Sequence, residues 1–158
     1  MANSMTEVPP TRIAFLGQKI DGTGNLTTVQ RILSFFSHSN VQYEDRYESL
    51  VQPFDVLIVV HALHFYDAIL KLETSVRLIV ILGGTDVNCC LQDQFKRKLI
   101  KTVLERASAI VCFNTTLAET IEREFGELVS SKSAVIPQAV SVDQGTANDT
   151  EECDCKKI

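Results

Sequence analysis

The sequence predicts an α/β fold: a Rossmann-like, doubly wound parallel sheet built as one lobe. Three observations predict it. Short runs rich in Val, Ile and Leu recur along the chain. Segments of helical period separate them. The central runs are apolar on both faces, as strands are when helices cover both sides of a parallel sheet. The length of 158 residues suits one domain of ordinary size.

The elements follow in order. Residues 12–17 form a short apolar run ending in glycine, a buried-strand signal. Residues 24–36 turn helical, because Val29, Ile32, Leu33 and Phe36 fall at i, i+3, i+4 and i+7. Residues 41–44 read as a second strand and 55–60 as a third. A helix is expected over 62–72 and a fourth strand over 76–82, ending at Gly83-Gly84. Residues 92–106 are amphipathic, with Phe95, Leu99, Val103 and Leu104 expected on the buried side. Residues 109–113 are the fifth strand. Residues 116–125 form a helix that Gly126 stops. Residues 134–136 are the sixth strand, ended by Pro137.

The composition sets the boundaries. The lobe is expected over residues 12–143. Residues 1–11 read as a flexible arm, because the start is polar, slightly acidic and without the basic and apolar regions of a secretory signal. Residues 144–158 lose apolar periodicity and read as a disordered tail. A formal charge of −5 argues against nucleic-acid binding, which needs a basic face. No apolar run reaches membrane-spanning length. The five cysteines lack zinc spacing and read as free thiols of a reducing compartment, although a metal at Cys153 and Cys155 is a second reading.

Open parallel sheets bind ligands beyond the carboxyl ends of their strands. Here those ends carry Gln18 to Asn25, His61 and His64, Gly83-Gly84-Thr85-Asp86, Asn114-Thr115-Thr116 and Gln138. Such a rim suits sugars and phosphates. Turns also attract these residue types for purely local reasons, so both readings stay open. Gly22-Thr23-Gly24-Asn25 opens a helix and is placed to hold an anion. It departs from the dinucleotide fingerprint, since Gly22 lies five residues after Gly17 and Thr27 replaces the third glycine. Nicotinamide binding is kept as an alternative. His61 and His64, with Asp67 nearby, form a metal alternative that lacks an evident third ligand. No metal is expected. No nucleophile elbow of the Gly-x-Ser-x-Gly type is present.

Four segments together resemble a known family: Gly24-Asn25-Leu26-Thr27-Thr28-Val29-Gln30-Arg31, Ala62-Leu63-His64-Phe65-Tyr66, Gly83-Gly84-Thr85-Asp86-Val87-Asn88 and Val135-Ile136-Pro137-Gln138-Ala139-Val140. They look like the N-terminal lobe of retaining GT-B glycosyltransferases of family 4, the group 1 class. The resemblance implies transfer of a sugar from a nucleotide-sugar, with that donor as substrate and no further cofactor. It implies an acceptor-binding lobe in which Gly22, Thr23, Gly24, Asn25, Gly83, Gly84, Thr85 and Asn114 face donor phosphate or acceptor. His64 and Asp86 would be the catalytic pair, with Asp86 bonding acceptor or supporting its loop; a cap for the following turn is the structural alternative for Asp86. Gly83 departs from the class, which often has histidine before Gly-Thr-Asp, and Ala139 stands where the linker usually has glycine.

The class binds its donor chiefly through a second lobe, and this sequence covers only the first. The expectation is therefore weak or no activity alone, with a separate C-terminal lobe or partner chain supplying the rest. A noncatalytic, partner-binding lobe is the alternative. Asn25, Asn114 and Asn148 begin glycosylation acceptor patterns. A glycan on the first two would block the rim, which favours a cytoplasmic location.

Overall fold

The computed structural model describes residues 11–19, 24–36 and 41–138, with the side chains of Gly24 and Asn25 outside that description. Residues 1–10 of the expected arm, residues 139–143 of the expected lobe, the expected tail, and Gly22 and Thr23 lie outside the described residues. Six strands form the sheet: β1 (Ile13–Leu16), β2 (Val41–Glu44), β3 (Val56–Val60), β4 (Arg77–Leu82), β5 (Ala109–Cys112) and β6 (Ser133–Val135). All neighbours are parallel, in the order β2-β1-β3-β4-β5-β6. The fold is α/β and Rossmann-like, as the sequence predicts. The helices are α1 (Gly24–Ser34), α2 (Tyr66–Leu70), α3 (Gly84–Asn88), α4 (Gln94–Arg106), α5 (Thr115–Phe125) and α6 (Glu127–Ser130).

The strand order fixes where the helices go. Right-handed crossovers require α1, between β1 and β2, to lie on one face and the helices after β3 to lie on the other. The two cores follow this division. Leu57, Val59, Leu78, Val80, Leu82, Ile110 and Cys112 point toward α2 to α6, where Ile69, Val87, Ile100, Leu104, Ile121 and Val129 meet them. On the opposite face Phe15, Val56, Ile58, Val60 and Ile81 pack with Val29, Ile32 and Leu33 of α1.

Helix ends are set locally. The Asp93 carboxylate accepts the Phe95 and Lys96 amides at 2.8 and 3.1 Å and starts α4. Asn114 Oδ1 accepts the Leu117 amide at 2.8 Å and starts α5. Gly126, at φ +59°, ends it as expected.

Three elements differ from expectation. The helix expected over 62–72 shrinks to Tyr66–Leu70, because His61 takes a left-handed φ of +72° and the Ala62 amide is captured by a side chain. The GGTDVN string, expected only as the end of the fourth strand, forms a short helix over Gly84–Asn88. Phe95, expected in the core, is 70% exposed, and Ile100 is buried beside Val103 and Leu104 instead. At a period of 3.6 residues Phe95 lies on the opposite side of α4 from the buried Ile100, Val103 and Leu104.

Candidate functional site

The direction of winding reverses between β1 and β3, the switch point where open α/β sheets form a crevice. Three loops converge at its carboxyl end. Gln18 follows β1, His61 to His64 follow β3, and Gly83 to Asp86 follow β4. They enclose an open cleft of about 420 Å³ lined by Gln18, His61, Leu63, His64, Thr85, Asp86 and Cys90.

Asp86 holds this arrangement together. Its carboxylate is 3% exposed and accepts the backbone amides of Ala62 and Gly83, each at 3.2 Å. The same oxygen lies 3.2 Å from His61 Nδ1. One side chain thus ties the β3 loop to the β4 loop and orients an imidazole, as a buried carboxylate must if it is to be satisfied. Of the two roles expected for Asp86, its contacts serve support of the loop. They serve the helix start as well.

Sequence reasoning places His61 on the rim and offers it as a metal ligand, but not as the partner of Asp86. Its amide still donates to Ile81 O at 3.0 Å, extending the ladder by one bond. Its chain then turns into the left-handed region, which costs a non-glycine residue about 1 kcal/mol or more. Gly83 makes room for the ring. A Cβ on residue 83 would stand 2.1 Å from His61 Cε1. The histidine that the resembled class often carries at position 83 therefore cannot be accommodated here while His61 keeps its place. No sequence signal marks a left-handed histidine.

His64 sits on the open side of the cleft. The Gln18 amide nitrogen lies 3.0 Å from its Nδ1 and 3.1 Å from its Nε2, and donates to whichever carries no proton. Desolvation, reinforced by nearby His61, holds the His64 pKa below the usual histidine value. His64 is thus kept as a neutral imidazole, able both to donate and to accept. Its ring also meets Phe65 edge to face at 4.8 Å. Burial pushes the Cys90 thiol up, and the charge of Asp86 adds to this, so Cys90 is a protonated, unreactive wall of the cleft.

The other expected site residues fall as follows. Thr85 is exposed on the cleft wall, and Gly84 is exposed at the start of α3. Gly24 and Asn25 begin α1. Asn114 stands at the same edge of the sheet after β5, caps α5 and does not line the cleft. Gln138 bonds Thr28 of α1 on the far face. Among the described residues, no group of three or more His, Cys, Asp or Glu side chains gathers to hold a metal. A larger hollow of about 540 Å³ at the amino edge is lined by Arg12, Gln42, Gln52 and Phe54. Arg12 there is paired with Asp55 at 3.0 Å, and strand amino ends are not where such sheets bind ligands.

No protein-family model matches the sequence, and no curated protein matches it. Among the described residues no helix is long and apolar enough to cross a membrane.

Proposed function

We propose that the chain is the acceptor-binding lobe of a retaining GT-B glycosyltransferase, transferring a sugar from a nucleotide-sugar donor to an acceptor hydroxyl. Within family 4, its four segments look like those of the glycosyltransferase 1 domain-containing proteins. One observation of the cleft carries the reading. Among the described residues its lining offers the hydrogen-bonding groups Gln18, His61, His64 and Thr85, beside Leu63, Asp86 and Cys90, with no Lys or Arg. Such a surface matches sugar hydroxyls, which both donate and accept, better than a diphosphate, which demands cations or backbone amides. His64 is assigned to a sugar hydroxyl and Asp86 to holding His61 in position.

The same lining explains why one lobe is not enough. A departing diphosphate develops charge that must be met by preorganised donors. The described cleft supplies no cation for that, so a C-terminal lobe or partner chain provides it. The purified chain alone is expected to show little or no transfer. The location proposed is cytoplasmic.

A thermal-shift screen tests the reading. Nucleotide-sugars or oligosaccharides should raise the melting temperature, and His64→Ala should remove the shift while leaving the unliganded temperature nearly unchanged. A shift with NAD(P) alone would assign the cleft to a nicotinamide enzyme instead.

A second reading, a noncatalytic lobe that binds a partner, is favoured by the face carrying α1. A groove of about 440 Å³ lies open there, lined by Phe35, Ile79, Ile81, Val111, Phe113 and Ile136. Phe35 is 79% and Ile136 55% exposed. Phe35→Asp with Ile136→Asp should change stability by no more than about 0.5 kcal/mol, since neither supports the described core. If nucleotide-sugars bind with these changes in place, the cleft and the groove act separately.

A further inference from the structure

The charge of the chain is unevenly placed. Overall it is −5, yet the segment Gln94–Arg106 that forms α4 carries Lys96, Arg97, Lys98, Lys101 and Arg106 against a single acid, Glu105. Two of these cations are committed. Arg97 pairs with Glu124 at 2.8 Å, and Arg106 donates to the carbonyls of Glu73 and Val76. Lys101 meets Glu105 only loosely, at 3.9 Å. Lys96 and Lys98 form no ion pair among the described residues.

The helix buries Ile100, Val103 and Leu104 against the sheet. At a period of 3.6 residues, Phe95, Lys98 and Lys101 then fall on the outward side, and Lys96 sits exposed in the first turn. Phe95 is 70% exposed, with Lys96 next in sequence and Lys98 three residues on. An exposed aromatic ring beside lysines on a helix suits a surface that is anionic outside and apolar just beneath.

We propose that the N-terminal half of α4 docks the protein on an anionic lipid surface, with Phe95 entering the headgroup boundary and Lys96, Lys98 and Lys101 meeting lipid phosphate or carboxylate groups. Charge complementarity within an otherwise acidic chain selects this occupant. The first turn of α4 directly follows Cys90 and the turn to Gln92, so the patch adjoins the wall of the cleft. The helix lies on the surface and does not cross it. The proposal stands whether or not the cleft transfers a sugar.

The test is co-sedimentation of the full chain with vesicles of phosphatidylcholine and of phosphatidylcholine with phosphatidylserine in a roughly 7:3 mixture at low salt. Partition onto the anionic vesicles is expected, weakening as salt is raised. Each lysine contributes roughly a fivefold factor, so Lys96→Gln with Lys98→Gln should weaken partition roughly twenty-five-fold. Phe95→Ser should weaken it further. These residues are exposed, so circular dichroism should be unchanged in the variants. Absence of partition onto anionic vesicles overturns the proposal, as does undiminished partition of the triple variant. Binding of polyglutamate with no partition onto vesicles also overturns it and assigns the helix to an acidic protein.

Discussion

The two faces of the sheet are made by the same strands and are covered very differently. Alternate residues of β4 illustrate it. Leu78 and Val80 are fully buried under α4 and its neighbours, whereas Ile79, between them, is only partly buried on the face of α1. Among the described residues, five helices cover the first face and α1 alone covers the second. The strands nonetheless carry apolar residues at both sets of positions. Apolar patterning thus reports what a face is suited to pack against, and the described helices account for only part of it. Covered and open faces should differ in how they respond to change.

The largest difference should come from the strand neighbours. Leu78→Ala should destabilise by about 2–5 kcal/mol and Ile79→Ala by less than half as much, because a partly exposed site leaves a smaller cavity. Urea unfolding of both variants checks this, and equal losses would break the comparison. Asp86→Ala comes next, at about 1–3 kcal/mol, because it orphans the buried amides of Ala62 and Gly83. That effect belongs to the covered face and the cleft, and the amide exchange rates of those two residues should rise with it.

The smallest effect is that of pH. Desolvation lowers the folded-state pKa of His64 below its unfolded value of 6.5. Above 6.5 both states are neutral there and nothing is lost. As pH falls below it, the unfolded chain takes the proton first, so stability declines and then levels off below the folded-state pKa. Protonation also leaves His64 no lone pair for the Gln18 amide, so ligand-induced stabilisation should fade over the same window. Thermal melts between pH about 5 and 8 check the sign; His64→Ala should flatten this contribution.

Sequence reasoning reached the strands because a parallel sheet needs long apolar runs, which are plain to see in 56–60 and 77–82. It reached His64, Thr85 and Asp86 because strand ends in this fold class form the rim. It missed what depends on contacts distant in sequence. Nothing in the string VVHALH says that His61 turns left-handed; Gly83 and Asp86, more than twenty residues on, permit it. The five-residue helix over Gly84–Asn88 is too short to show a period, and tertiary contacts rather than propensity sustain it. Phe95 stands one turn before Leu99, yet counted from the buried Ile100 the 3.6-residue period puts it on the outward side of α4.

The central claim is that Gln18, His61, His64 and Thr85 form one carbohydrate-facing cleft. Amide and imidazole NMR spectra recorded during titration with nucleotide-sugars and oligosaccharides test it most directly. The account predicts saturable shifts at Gln18, His61 to His64 and Gly83 to Asp86, with Phe35, Val111 and Ile136 undisturbed. Shifts confined to the α1 face, or none at concentrations where glycosyltransferase lobes would be filled, would contradict it.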